Sequence, residues 1–214
     1  MVTPDLVSEE DIAKLTVPND LPDEPSFKAY IEAKVYDKKG HLIQYHRQPM
    51  RSLTEYFLAI MSIPLIGTYQ LGASNQATDI LVNVLGLPSE QGSSANISWD
   101  WSIQLGSGTQ SFSPTLTGLA APIANGTGAG QLSYGTLSVS YAGTTIFVSV
   151  TVTNFTSSTV TVTEIGMMGT VYIQYSGSSV SSYNYLLSYD TLSSPVSIPG
   201  YGMAVFQITL SFTG

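Results

Sequence analysis

The sequence predicts a mainly β fold: a jelly-roll-like antiparallel β-sandwich with one short α-helix in its N-terminal half and an extended N-terminal arm. From Phe27 onward, apolar residues recur with a period of two, which is typical of half-buried strands. The chain has 214 residues, of which 43% are apolar and only 10% charged, so it can bury a sizeable core. Long connections rich in Gly, Ser, Thr and Pro, such as residues 106–128, favour Greek-key crossings over a plain meander.

Residues 1–25 are predicted to form the arm, because four prolines interrupt an acidic stretch with too few apolar residues to pack alone. A short helix capped by Ser8 would leave Ile12 and Leu15 as a small apolar face. Two interpretations stay open: a disordered tail, or an arm that becomes ordered on a neighbouring subunit. The acidic start has no apolar segment of the kind that a secretory signal needs, so export through such a signal is not expected.

A hairpin and a helix are predicted next, within a single sandwich domain over residues 26–214. Alternating strands joined by the turn residues 37–40 predict a hairpin over residues 27–47. Ser52 and Glu55 match a capping box and predict a helix over residues 52–63. That helix is too short to cross a bilayer, which takes about 20 apolar residues.

The remainder of the chain is predicted to consist of strands and turns. The predicted strands lie at residues 78–85, 96–104, 130–140, 144–153, 158–168, 171–175, 183–188 and 201–212. This number of strands fits a sandwich, and the spacing shows no internal repeat of the kind that builds propellers or solenoids.

The charges are distributed very unevenly. All seven basic residues lie within the first 51 positions, at Lys14, Lys28, Lys34, Lys38, Lys39, Arg47 and Arg51. The body from residue 52 onward has six acidic residues and no basic one, so apolar burial and backbone ladders must supply its folding energy. The net charge of −8 opposes binding to nucleic acid and to anionic membranes. If the body carboxylates are not strongly paired, stability should depend weakly on pH, which predicts an acid-stable protein; the alternative is an ordinary Ser/Thr-rich extracellular surface.

Few residues in the sequence can carry enzyme chemistry. There is no cysteine, and the two histidines, His41 and His46, lie on opposite faces of a strand, where they cannot share a metal ion. Nothing in the sequence context of the six body acids pairs them for glycoside hydrolysis. We therefore expect no catalytic residues, no cofactor and no metal site.

Two tryptophans and three sequons are the remaining motifs. Trp99 and Trp101 project from one face of a predicted strand, where they either fill a core or subunit interface or stack on a glycan. The sequons at Asn96, Asn125 and Asn154 are weak evidence of exposure, because they arise easily by chance in a Ser/Thr-rich chain.

A series of short motifs in the second half of the chain resembles a recurrent block. The motifs are Thr151-Val152-Thr153-Asn154, residues 160–166, Leu186-Leu187-Ser188-Tyr189-Asp190, residues 194–199 and Ile208-Thr209-Leu210, with residues 103–109 and 119–123 upstream. Together they resemble structural proteins of virion tails and spikes, especially those of archaeal viruses, and within that group the tail adaptor of spindle-shaped viruses. The chain departs from the group at Tyr189, where the resemblance implies a basic residue before the aspartate.

The resemblance implies a non-enzymatic virion component, assembled in the host cytoplasm and exposed outside the cell as part of the particle. Its expected partners are copies of itself in a symmetric ring, other tail or capsid proteins, and the host surface. The residues expected at the subunit interface are Ile12, Leu15, Lys28, Lys34, Arg47 and Arg51. Two alternatives are a host-glycan or receptor-binding module that uses Trp99 and Trp101, and a protein of a cell-surface layer or pilus.

Overall fold

The computed structural model describes residues 26–57, 95–175 and 180–213, with side chains described except at residues 26, 95–99, 171–181 and 213. The strands are β1 Ser26–Tyr36, β2 Leu42–Pro49, β3 Ala95–Gly106, β4 Ser133–Tyr134, β5 Ser138–Ala142, β6 Thr145–Thr153, β7 Val160–Tyr175, β8 Val180–Ile198 and β9 Met203–Thr213. These strands form antiparallel sheets packed as a sandwich, which confirms the predicted mainly β fold.

The two sheets differ in width. Sheet A has the order β2-β1-β9-β6. On the other side of β6 from β9, residues 145–149 pair with β5 and residues 152–153 pair with β4. Sheet B has three strands in the order β3-β7-β8. Strand β8 lies against β1 and β2, and β3 lies against β6. Sheet B therefore covers sheet A from β2 to β6, and β5 extends beyond it.

The core lies between the two sheets and follows from the alternation of apolar residues. In the two central strands of sheet A, every second residue is buried: Ala29, Ile31, Ala33 and Val35 in β1, and Ala204, Phe206, Ile208 and Leu210 in β9. Sheet B contributes Ile103, Leu105, Ile165, Met167 and Leu187 to the same cluster. Each fully buried Val, Leu, Ile, Phe or Met side chain contributes about 1.5–3 kcal/mol to the free energy of unfolding, relative to an exposed one.

The predicted hairpin of β1 and β2 is confirmed, and its turn has a clear local cause. The Asp37 carboxylate accepts the backbone N–H groups of Lys39 at 2.8 Å and of His41 at 2.9 Å. Gly40 adopts a φ of 83°, a left-handed conformation that favours glycine. The N–H of His41 lowers the pKa of the Asp37 carboxyl, because it stabilises the charged form.

The prediction that Ser52 begins a helix is wrong. Ser52 lies in an extended segment that runs along β8, where its carbonyl accepts the N–H of Tyr189 at 3.1 Å and the N–H of Thr54 donates to Leu187 at 3.0 Å. Helical residues begin at Glu55. The capping-box pattern was misleading because the backbone of β8, distant in sequence, supplies partners that a local pattern does not include. The rest of the predicted helix, from residue 58, lies outside the described residues.

Some predicted strand boundaries also change. Strands 158–168 and 171–175 are one strand, β7, because Gly169 pairs directly with Tyr185 and the ladder continues through it. The predicted strand 130–140 is divided into β4 and β5, since its register against β6 shifts by one residue between them. The predicted strand 78–85 and the arm 1–25 lie outside the described residues. In the part of the chain described, no helix has the length and apolar character needed to span a membrane.

Candidate functional site

The outer face of sheet A carries most of the charged groups of the hairpin. We call this surface the hairpin face; it consists of Lys28, Tyr30, Glu32, Lys34, Tyr45, Arg47 and Gln207. Successive side chains of a strand point to opposite faces, so the even-numbered residues of β1 share this face while the odd-numbered ones enter the core. The structure thereby brings together three of the predicted interface residues, Lys28, Lys34 and Arg47.

Glu32 is the centre of the hairpin face. Its carboxylate accepts the Tyr45 hydroxyl at 2.6 Å and the Gln207 side-chain amide at 3.2 Å, and it lies 3.8 Å from Arg47 Nε. The Arg47 guanidinium lies 4.8 Å from the centre of the Tyr30 ring, within the range of a cation–π contact. Burial, together with the hydrogen bond to Glu32, raises the pKa of Tyr45 to about 12. The carboxylate of Glu32 is thus shared among three neighbours.

Two lysines of the hairpin face are free of such contacts. Lys28 and Lys34 are exposed, and none of the described acidic groups forms an ion pair with either. Arg51 is also exposed, but it lies past the end of β2, at the start of the segment that runs along β8. Ile12 and Leu15, the other predicted interface residues, lie outside the described residues. The exposed cations leave the hairpin face able to bind an anionic partner.

Polar side chains of β2 connect the two sheets along one side of the sandwich. Gln48 is buried; its amide nitrogen donates to the carbonyl of Thr191 at 3.1 Å, and its oxygen accepts the N–H of Ser193 at 2.7 Å. The buried His46 ring contacts Gln48 Oε1 at 2.9 Å and Ser194 Oγ at 3.1 Å. These contacts satisfy polar groups that would be costly to bury alone.

Gln44 repeats this arrangement at the more exposed end of β2. Its amide donates to the carbonyl of Pro195 and accepts the N–H of Ser197, both at 3.0 Å. We call Gln44, His46 and Gln48 the polar seam.

The two histidines lie in different surroundings. His46 belongs to the polar seam, whereas the His41 ring contacts the Asp37 carboxylate in the hairpin turn. Among the described residues, no cluster of metal-ligating side chains occurs.

Asp190 continues the closure of this side. Its buried carboxylate accepts the backbone N–H of Arg51, with oxygens at 3.1 and 3.2 Å from that nitrogen. Burial raises the pKa of Asp190 to about 6, while the N–H groups of Arg51 and Ser52 and the Arg51 charge act in the opposite direction. The carboxylate holds the segment after β2 against β8.

Glu164 holds a second segment, on the outer face of sheet B. It is fully buried, and its oxygens accept the N–H groups of Gly108 at 3.2 Å, Ala121 at 2.8 Å and Ala120 at 3.1 Å. These bonds compensate for removing a carboxylate from water. A glycoside hydrolase needs two carboxyls that face one substrate. Glu164 and Asp190 instead bind backbone groups of separate segments, which is an arrangement suited to holding chain segments in place.

An apolar groove opens on the opposite side of the sandwich, between β3 and the β5-β6-β9 part of sheet A. Its volume is about 780 Å³, and its lining residues are Phe57, Asp100, Trp101, Ser102, Thr136, Leu137, Val139, Ile146, Val148, Thr170, Leu210 and Phe212. Trp101 is partly buried and packs against the core cluster. The side chain of Trp99 is not among those described. Of the two predicted stacking residues, the structure thus places Trp101 in a groove wall.

The sequon at Asn154 does not mark an accessible site. Asn154 is fully buried, and its amide donates to the carbonyls of Ser158 at 2.7 Å, Pro199 at 3.1 Å and Ile198 at 3.2 Å. Asn125 is exposed, although its Oδ1 accepts the N–H of Tyr134 at 3.1 Å. The motif at Asn154 therefore reflects a turn that the asparagine stabilises from inside.

Sequence reasoning missed the polar seam and the two buried carboxylates. One signal was present: residues 44, 46 and 48 of β2 are all polar at the positions that alternate toward the sandwich. Glu164 likewise interrupts the apolar pattern of β7. Neither signal identifies the partners, which are backbone groups far away in sequence.

Comparison with known proteins finds no family model, no curated protein and no solved structure that matches this chain. The resemblance to virion tail and spike proteins therefore stays a prediction. The functional conclusion depends on the surfaces described above.

Proposed function

We propose that this protein is a non-enzymatic structural subunit of a virion, an adaptor of the tail or spike that assembles into a symmetric ring through its N-terminal arm. The arm of one subunit binds the hairpin face of the next. Assembly takes place in the host cytoplasm, and the finished particle carries the protein to the outside. Its other partners are neighbouring virion proteins and the host surface.

The observation that carries the proposal is the separation of charge between neighbouring segments. Residues 1–25 contain seven acids and one base, 7 − 1 = 6, a net charge of −6. The hairpin face contains three bases and one acid, 3 − 1 = 2, a net charge of +2. Lys28 and Lys34 are exposed on the hairpin face without an ion-pair partner among the described acids. Opposite charges of this size favour association between copies and set its orientation.

Chain length supports binding to a neighbour as well as charge. The arm joins the sandwich at the start of β1, beside the hairpin face. Twenty-five residues can reach about 80 Å when extended, which exceeds the width of a domain of this size. An arm of this length can therefore bridge to an adjacent subunit.

Two further features support a structural role over the alternatives. Glu164 and Asp190 are occupied with backbone N–H groups, so these buried acids hold the fold. Trp101 is partly buried and packs against the core, so the glycan-binding alternative has weaker support. The proposal includes a jelly-roll-like connectivity, supported by the crossing that places β9 between β1 and β6.

The test is a matched pair of charge reversals in the full chain, with particle mass measured by light scattering and electron microscopy. The double variant Lys28→Glu/Lys34→Glu should lose ring assembly, because its hairpin face repels the acidic arm. The control Lys38→Glu/Lys39→Glu makes the same change of charge in the hairpin turn and should retain rings.

Deletion of residues 1–25 should likewise leave subunits that do not form rings. Raising the ionic strength to 1 M shortens the Debye length to about 3 Å and should weaken wild-type rings. Rings that persist without the arm, or that respond equally to both double variants, would overturn the proposal.

A further inference from the structure

Strand β5 forms an edge of sheet A, along which the structure describes no further strand. All five of its residues are exposed, including Val139 at 61% and Tyr141 at 84%. The strand contains no charged residue and no proline. Natural edge strands usually carry such residues, because a bare edge presents unpaired backbone groups to any other strand.

Other edges of sheet A have the protection that β5 lacks. The opposite edge, β2, contains Arg47 and Pro49, and its side chains contact β8. On β4, the Asn125 side chain accepts the backbone N–H of Tyr134. The bare edge is therefore confined to β5, within the part of sheet A that the structure describes.

We propose that β5 pairs with β5 of a second copy of this chain, in an antiparallel arrangement about a twofold axis at Ser140. Ala142 and Thr145 flank a two-residue turn and form its closing hydrogen-bonded pair. Because hydrogen bonding alternates along an antiparallel ladder, Ser140 directs its backbone groups toward β6, whereas Val139 and Tyr141 direct theirs outward.

A twofold axis at Ser140 places complementary residues opposite one another. Val139 faces Tyr141 of the second copy, and the same pair recurs on the other side of the axis. Each is a hydrogen-bonded pair, so about four backbone hydrogen bonds form across the axis. A β-branched residue opposite an aromatic one is a favourable cross-strand pair. No charges meet, since Ser138 faces Ala142.

The side chains at this junction belong to the inner face of sheet A. Val139 pairs with Val148 of β6, and Tyr141 pairs with Ile146, both of which contribute to the core or pack against it. Val139 also lines the apolar groove. Pairing of two copies thus joins their inner faces into one apolar surface across the axis, an isologous contact.

Cysteine crosslinking tests this register directly, because the natural chain contains no cysteine. Ser140→Cys places two thiols opposite each other in a non-hydrogen-bonded pair, where Cα atoms are about 4.5 Å apart and a disulfide can form. Ser138→Cys is the control: four residues separate the two copies along the strand, about 13 Å, which is too far. Under mild oxidation, Ser140→Cys should form a covalent dimer on a non-reducing gel and Ser138→Cys should stay monomeric.

A second pair of variants tests the edge chemistry in the Ser140→Cys background. Adding Val139→Lys should lower the crosslinking yield about tenfold, because a lysine at an edge opposes strand pairing. Adding Phe155→Lys changes a residue of similar exposure in the β6–β7 turn and should leave the yield unchanged. Circular dichroism establishes that all variants remain folded.

Failure of Ser140→Cys to crosslink, or equal crosslinking of Ser138→Cys, would overturn the inference. Equal effects of Val139→Lys and Phe155→Lys would do so as well. The inference does not depend on the arm or on a virion role, since the covalent dimer is detected whether or not rings form.

Discussion

The two long sides of the sandwich are closed in different ways. On the β2–β8 side, the polar seam and Asp190 join the sheets through hydrogen bonds to backbone groups. On the β3–β5 side, an apolar groove lies between the sheets, and β5 extends past sheet B. Hydrogen bonds have fixed geometry, so the first side is held in one register, whereas apolar contacts on the second side set no register. The closed side therefore has a register fixed by hydrogen bonds, whereas the described residues of the open side meet through apolar contacts.

The largest effect is expected from Gln48, which is buried and makes three hydrogen bonds, more than Gln44 or His46. Gln48→Leu keeps the approximate size of the side chain but removes its hydrogen bonds to the N–H of Ser193, the carbonyl of Thr191 and the His46 ring, which should cost about 3 kcal/mol. Gln44→Leu removes equivalent bonds at a more exposed position and should cost less than about 1 kcal/mol. Urea unfolding measures both. Equal losses would show that burial does not determine the strength of the seam.

The pH dependence of stability should come partly from the closed side. The pKa of Asp190 rises from 3.8 to about 6 on folding, so the folded state binds the proton more tightly. This contribution to stability is complete below pH 3.8 and is lost as the pH rises through about 6.

The unfolding free energy of the wild type, minus that of Asp190→Asn, should increase by about 2 kcal/mol between pH 7 and pH 4. Ser193→Ala, an exposed change in the same strand, should follow the wild type over this range. A difference that is constant with pH would contradict the expectation. A contribution of this size differs from the weak pH dependence that the sequence predicts for unpaired carboxylates, because Asp190 is buried and accepts the backbone N–H of Arg51.

A change in the groove wall should have a smaller effect. Trp101 lines the groove and packs against the core, so Trp101→Leu removes part of this contact. Because Trp101 is only partly buried, we expect a loss of about 1–2 kcal/mol in the free energy of unfolding. Ser102→Ala, an exposed neighbour, should change stability by less than about 0.5 kcal/mol. Thermal unfolding compares the two. A loss as large as that of Gln48→Leu would remove the distinction between the sides.

The smallest effect is expected at the rim of the groove, where Phe212 contacts Phe27 with ring centres 5.1 Å apart. Phe212→Leu keeps apolar contact and loses the aromatic pair, for about 0.5–1 kcal/mol. Phe27→Leu should give the same value, and the double variant should cost less than the sum, because the pair is lost only once. Additive losses in a double-mutant cycle would show that the rings do not interact.

Local patterns predicted most of the described strands, but not the contacts that join them. Alternation in β1 predicted the strand, its buried face and the shared outer face of Lys28 and Lys34. The pattern beginning at Ser52 failed because its backbone partners belong to β8. Glu164 and Gln48 could not be assigned for the same reason: their partners are backbone groups, which carry no sequence signature. Predictions were confirmed where the alternation of residues within a single strand determines the structure, as in β1.

The position of β9 has a consequence for how the protein folds. β9 pairs along its whole length with β1 on one side and, from Met203 to Ser211, with β6 on the other, although β1 precedes it by more than 160 residues in sequence. Until β9 has been synthesised, none of the other described strands joins the β1–β2 and β5–β6 hairpins, so sheet A stays incomplete. Contacts so distant in sequence form slowly, so the nascent chain should depend on late completion of the sheet and be prone to aggregate before it.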